Sequence, residues 1–288
     1  MDVICKFDPW NDPLCTCPEK YSLNPYTGCQ HHCLYCYITS YIPRGFECRP
    51  KKDLVRRIRA NLRKLNRHIP ISLSNSSDPY PPIERELGLT RRCLQLLNEA
   101  GFAVQIITKS DLVTRDLDLL KEMPSVVSFT ITTLDEELAR KLEPNAPSPK
   151  RRLKAVEEVS KRGIPVTVRL DPIFPGLNDE EIERVVKEAG EAGALHITTS
   201  TYKPRPDSWQ RMMLAFPEFC KNARELYFVK GERHKSGRYL PASMRRKLLL
   251  RVKKACEEVG LSFSSCREGM PELNTAPTCD GTHLLGIL

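Results

Sequence analysis

Short runs dense in β-branched and apolar residues alternate with longer stretches in which apolar residues recur every third or fourth position. The run at 69–74 follows an amphipathic stretch at 51–67, 103–108 follows 90–100, 126–132 follows 116–123, 164–170 follows 150–162, and 195–199 follows 179–192. Gly101, Gly163 and Gly193 stand between helix and strand, where a left-handed C-terminal cap is usual. Strands that alternate with helices in this way are parallel strands joined by crossovers. The segment 21–25 is the best candidate for the first strand. The pattern predicts an α/β fold, a partial (β/α)6 parallel barrel over 21–205. Residues 1–20 read as an N-terminal Cys-containing extension, and 206–288 as a C-terminal helical and Cys-containing extension packed on the barrel, with helices at 208–226 and 241–259. No internal repeat or low-complexity segment is evident.

A chain of 288 residues can build one sizeable core without a second domain. Residues 1–6 lack the basic-then-apolar plan of a secretory signal, and no apolar run reaches membrane-spanning length, so a cytoplasmic protein is expected. In that compartment its twelve cysteines suggest metal ligands or reactive thiols rather than disulfides. The net charge of +9 matters mainly through its distribution. Between 51 and 67, Lys51, Lys52, Arg56, Arg57, Arg59, Arg63, Lys64 and Arg67 face the single acid Asp53, with Leu54, Val55, Ile58, Leu62 and Leu65 on the other side. A second basic stretch runs over 245–254. Such stripes suit a phosphate backbone, although a solvated helix face is the commoner explanation of any one of them.

The chemistry concentrates in an eight-residue window, Cys29-Gln30-His31-His32-Cys33-Leu34-Tyr35-Cys36, followed by Tyr37. A C-x3-C-x2-C loop supplies three soft thiolates and no fourth. A structural zinc site wants four closed ligands in paired C-x2-C units. Three thiolates instead suit three irons of a cubane cluster, whose fourth iron stays open to another ligand. If the barrel forms, the polar residues at the C-terminal ends of its strands, where parallel barrels gather their chemistry, are Ser76, Asp78, Lys109, Ser110, Thr132, Thr133, Arg169 and Asp171.

This window resembles the signature of the radical S-adenosylmethionine (SAM) enzymes. The segments 24–28, 77–84, 108–110 and 171–179 resemble that superfamily's spore photoproduct lyase-like branch. The resemblance implies a radical SAM barrel in which Cys29, Cys33 and Cys36 hold a [4Fe–4S] cluster, SAM binds the open iron, and Tyr37 lies beside the adenine. It implies reductive cleavage of SAM into methionine and a 5'-deoxyadenosyl radical that takes hydrogen from a substrate, with an external electron donor such as ferredoxin or flavodoxin. Lys109 is then expected to pair with the SAM carboxylate, Asp78 or Ser76 to bond its ammonium or ribose, and Thr132 and Arg169 to contact ribose and carboxylate. Arg169 has simpler partners in Asp171 and Glu143. The expected substrate is a nucleic acid (DNA or tRNA), through photolesion repair or RNA base modification. A peptide or small metabolite is the rival substrate, and a cluster serving only electron transfer or sensing is the rival class. A monomer with no membrane attachment is expected.

Of the other cysteines, Cys93 and Cys256 lie on apolar helix faces and read as core thiols. Cys15-Thr16-Cys17 is a close pair. Residues 277–283 resemble the second half of the CDGSH iron–sulfur motif, but its C-x-C half is missing upstream, where 268 and 270 are Glu and Met. Only if the two ends of the chain meet could Cys15, Cys17 and Cys279 join His283, or Cys266 in its place, around a second iron–sulfur cluster. The alternative makes Cys266 or Cys279 a catalytic thiol that returns hydrogen to a product radical, as a cysteine does in spore photoproduct lyase.

Overall fold

The computed structural model describes residues 2–7, 12–73, 76–234 and 237–286. Its main sheet contains β1 (Ile4–Lys6), β2 (Tyr21–Leu23), β3 (Ile71–Leu73), β4 (Val104–Thr108), β5 (Ser125–Thr130), β6 (Val166–Ile173), β7 (His196–Thr201) and β8 (Ser262–Ser265), side by side in that order. From β2 to β8 every pairing is parallel, and β1 lies antiparallel on the edge of β2. The crossovers carry α1 (Leu54–Leu62), α2 (Leu89–Glu99), Leu117–Lys121, α3 (Pro149–Lys161) and α4 (Ile182–Glu191). The mixed α/β architecture with a parallel, curved sheet is the expected one. Gly101, Gly163 and Gly193 take φ of 71°, 75° and 94°, as capping requires. Ser74, at the end of the predicted run 69–74, lies outside the described residues.

The differences are local. The sheet gains a seventh parallel strand, β8, from the segment read as a C-terminal extension, delivered by α5 (Ala242–Glu258). The single helix predicted over 208–226 is two, Pro206–Ala215 and Pro217–Phe228, because Pro217 cannot continue the first helix and serves as the N1 residue of the second. Glu232–His234 and Gly237–Tyr239 pair antiparallel as a separate two-stranded sheet.

Parallel strands covered on both faces usually read as unbroken apolar runs. These alternate, because the inner face is polar. Val104, Ile106, Val127, Phe129, Val166, Val168 and Ile197 are fully or almost fully buried and share one apolar core with Leu94, Leu97, Val156, Val159 and Val185 of the helices. Each such side chain contributes on the order of 1.5–3 kcal/mol. The intervening positions turn inward. Ser72 Oγ donates to Gln105 Oε1 at 2.9 Å, and Gln105 Nε2, Thr198 Oγ1 and Ser264 Oγ donate to the carbonyls of Asp280, Cys279 and Thr278 at 2.8, 3.1 and 3.2 Å. Residues 278–281 therefore plug the inner face. Gly281 (φ 83°) permits this, since a Cβ there would lie 2.8 Å from Thr167 Cγ2. Gly281→Ala is expected to destabilise the fold by about 1–3 kcal/mol through overpacking and the left-handed backbone, read as a fall in thermal midpoint.

Candidate active site

The three-cysteine window follows β2 and is pinned from several sides. Gly28 holds φ 82° against the chain at Glu47, whose carbonyl oxygen would lie 2.1 Å from any Cβ, so only glycine fits. Cys29 N donates to Gly45 O at 2.8 Å and Leu34 N to Leu142 O at 2.9 Å. Asn145 Nδ2 donates to Gln30 O at 2.9 Å. Arg211, from the helix Pro206–Ala215, donates to the carbonyls of Leu34 (2.9 Å) and Cys36 (2.6 Å), crossing the Phe46 ring 5.0 Å from its centroid. The loop is thus preset rather than left to a ligand to order.

Cys29, Cys33 and Cys36 open into a cavity of about 270 Å³ whose walls also carry Tyr37, Ser76, Asp78, Lys109, Arg169 and Cys266. Six of the residues singled out in the sequence thus join the triplet. Thr132 does not line it: its hydroxyl donates to Glu143 Oε1 at 2.8 Å and meets the Tyr35 hydroxyl at 3.2 Å, and Thr130 takes the place on the wall. Cys279 is also absent from the lining and is buried behind it.

Asp78, on the cavity wall, is engaged by donors of the chain itself. Its Oδ1 accepts from Tyr80 N (2.9 Å) and Thr108 Oγ1 (2.7 Å), and its Oδ2 accepts from Lys109 N (2.8 Å) and lies 3.3 Å from His31 Nδ1. With its acceptor sites filled, it positions His31 and Lys109. Lys109 sits 3.9 Å from Glu143 Oε1, with its ammonium 5.6 Å above the Tyr35 ring. Arg169 is held by Asp171 at 2.7 Å, and Asp171 in turn accepts from Ser200 at 2.6 Å, so the simpler partner is real and leaves Arg169 oriented on the wall.

Burial would lower the His31 imidazole, but Asp78 and Cys29 together lift it to about 10. Burial likewise opposes ionised Asp78, yet His31 brings its carboxyl down to about 2. Burial raises the Cys29 thiol while His31 more than offsets it, whereas burial pushes Cys36 up to about 11 and Cys33 well above the usual thiol range. Thiolates at the last two positions need a strongly cationic partner, and iron supplies one. Among the described residues no three His, Cys, Asp or Glu side chains converge on the position of one metal ion. The triplet therefore fits a cluster better than a single zinc.

His31, Glu143, Lys203 and Arg211 were not singled out as site residues. His31 had a local signal, lying between two of the three cysteines. Lys203, which lines the cavity and donates to Glu268 Oε1 at 2.6 Å, and Arg211 come from late in the chain and had none.

Of the two basic stretches only the first keeps its character. Along α1 and its flanks, among the described residues, no ion pair falls on Lys52, Arg59, Arg63, Lys64 or Arg67. The second is neutralised by acids: Arg245 pairs with Glu232 at 2.6 Å, Arg246 with Glu272 at 2.7 Å, Arg251 with Glu183 at 2.9 Å, and Lys253 and Lys254 with Glu257 and Glu258 at 3.9 and 3.8 Å. Its charge run is an ion-pair surface. No helix of the described residues is long and apolar enough to cross a membrane.

The fold is a parallel partial barrel that presents three thiols, in the loop after β2, to a charged cavity. The family model of the radical SAM superfamily matches residues 23–189, and the chain belongs to that superfamily. An uncharacterized protein of Methanocaldococcus jannaschii is 37% identical over 171 residues, 56% of this chain and 63% of that relative. A radical SAM Nalpha-GlyT isomerase of Pseudomonas phage M6 is 23% identical over 296 residues, 92% of this chain and 60% of that one. The chain thus spans less than two thirds of either relative's length. Among solved structures, a mutant spore photoproduct lyase with bound AdoMet and dinucleoside spore photoproduct superposes with a TM-score of 0.65 at 17% identity, covering 83% of this chain and 74% of that one.

Proposed function

We propose that this chain binds a [4Fe–4S] cluster through Cys29, Cys33 and Cys36, binds SAM at the open iron, and acts on a nucleic acid. The observation that carries the first part is the placing of three preset cysteines, with no fourth in their loop, on the wall of a cavity that also presents Lys109 and Arg169. When bound and reduced, the cluster supplies the electron that cleaves SAM into methionine and a 5'-deoxyadenosyl radical able to abstract hydrogen from substrate. The chain provides orientation and charge matching. Lys109, steered by Asp78 through its own amide and by Glu143 through its ammonium, offers its charge to the SAM carboxylate. Arg169, fixed by Asp171, adds a planar donor set. Tyr37 offers a ring face to the adenine, and Ser76 a hydroxyl.

Anaerobic incubation of the reconstituted chain with SAM and dithionite tests this. The expected products are 5'-deoxyadenosine and methionine. Their absence from protein whose cluster is confirmed by iron analysis would leave electron transfer or sensing.

Nucleic acid is favoured as substrate by α1 and its flanks, where Lys52, Arg59, Arg63, Lys64 and Arg67 form no ion pair among the described residues. The dinucleoside bound by the spore photoproduct lyase neighbour is consistent with that class. Binding to duplex DNA or tRNA is expected to fall steeply with salt. In a variant with Arg59, Arg63, Lys64 and Arg67 changed to Gln, the slope of log K against log salt should flatten by roughly 0.7–0.9 for each phosphate that is no longer neutralised. No binding by the unaltered chain at low salt would shift the reading to a peptide or small metabolite.

A further inference from the structure

Four cysteines outside the triplet come together from three distant parts of the chain. Cys17 Sγ and Cys279 Sγ are 3.4 Å apart, from residues 262 positions apart in sequence. Cys15 lies within hydrogen-bonding reach of Cys17. The segment bearing this pair is tied to the end of β8 by Arg267–Asp12 at 2.8 Å, and a Cβ on Gly269 would lie 3.3 Å from Leu14 Cδ2. Cys266, at the end of β8, is within electrostatic reach of Cys17 and also lines the cavity of Cys29, Cys33 and Cys36. Cys279 is held by its carbonyl, which accepts from Thr198 on the inner face.

We propose that Cys15, Cys17, Cys266 and Cys279 hold a second, auxiliary iron–sulfur cluster beside the SAM cavity. Four thiolates are a complete ligand set for a cubane, so this cluster has no open iron and differs in kind from the first. Its surroundings carry ion pairs: Lys20, held by Asp280, is near Cys17 and Cys279, and Arg169 and Lys203, held by Asp171 and Glu268, are near Cys266. His283, the ligand suggested by the CDGSH resemblance, is engaged elsewhere, with Nδ1 2.8 Å from Thr278 Oγ1 and its ring edge-on to His196. Ligation is acid–base chemistry alone: each thiol releases a proton as its sulfur takes an iron, and no electron changes hands.

Iron, zinc and acid-labile sulfide per chain, with electron paramagnetic resonance of the dithionite-reduced protein, test this on the anaerobically reconstituted full chain. The unaltered chain should hold about eight irons, and the Cys29→Ala/Cys33→Ala/Cys36→Ala variant about four, with a signal that SAM does not perturb. Cys17→Ala/Cys279→Ala should also fall to about four, keeping the SAM-sensitive signal and so showing that it folds. Less than one iron in the triple variant, one zinc per chain in its place, or unchanged iron in Cys17→Ala/Cys279→Ala would each overturn the proposal. Failure of the first cluster reads differently, as a triple variant with no less iron than the unaltered chain.

Discussion

Cys33→Ala should reduce 5'-deoxyadenosine formation to the level of protein-free controls while leaving the fold intact. Cys33 is 7% exposed, with Lys109 and Glu143 as charged neighbours, and burial holds its thiol in the protonated form unless a metal takes the proton's place. Alanine removes one sulfur from a site with no spare ligand in the loop, because Gln30, His32 and Leu34 offer nothing soft enough to replace it. The loop itself does not depend on that sulfur. Gly28, Asn145 and Arg211 fix its backbone, so the structural cost is that of a small cavity, on the order of 1 kcal/mol. Far-UV circular dichroism and the denaturation midpoint should therefore remain close to those of the unaltered chain while SAM cleavage vanishes. Substantial cleavage by a folded Cys33→Ala protein would remove Cys33 from the ligand set. Cys29→Ala and Cys36→Ala should behave alike. Thr132→Val is a useful contrast, since Thr132 bonds Glu143 behind the wall: it should weaken SAM binding through Lys109 without abolishing cleavage.

The alternation of strand and helix, the glycine caps and the cysteine loop were readable because each is specified by neighbours in sequence. β8 was not, because its Ser-Phe-Ser-Ser run is mostly polar, with Ser264 bonding the C-terminal plug and Ser265 bonding Asn274, and without those partners it reads as loop. Position at a strand end did bring Ser76, Asp78, Lys109 and Arg169 to one cavity. It did not assign their roles: nothing local reveals that four donors occupy Asp78, or that Thr132 faces Glu143 while Thr130 faces the cavity. The meeting of Cys17 with Cys279 depends on how the two ends of the chain pack against the sheet, and sequence spacing carries no information about that.

The buried carboxylate of Glu143 links stability to the cofactor site, and Arg152→Met should expose the link. Arg152 is 1% exposed and Glu143 2% exposed; they pair at 2.5 Å, and Arg152 also donates to the carbonyls of Thr130 (3.0 Å) and Pro147 (2.8 Å). Burial alone would raise the Glu143 carboxyl, but Arg152 and then Lys109 hold it down at about 2. Methionine fills much of the volume and leaves the carboxylate with Lys109 as its remaining cation, so about 3–5 kcal/mol of stability should be lost, read from anaerobic guanidinium unfolding. The double variant Arg152→Met/Glu143→Gln should recover part of that loss, because the fully buried carboxylate charge goes together with its guanidinium, leaving only Lys109 at the cavity wall to lose a partner. Equal destabilisation of single and double variants would mean that packing, not charge, sets the cost. The sign of the acid dependence follows from the depressed carboxyl: its contribution is complete above the ordinary value of 4.5 and disappears as pH falls toward about 2. The gap between the unaltered chain and Arg152→Met should therefore narrow across that window. At neutral pH Lys109 is left as the main counter-ion of Glu143, and the KM for SAM should rise as that ammonium is drawn off the cavity wall.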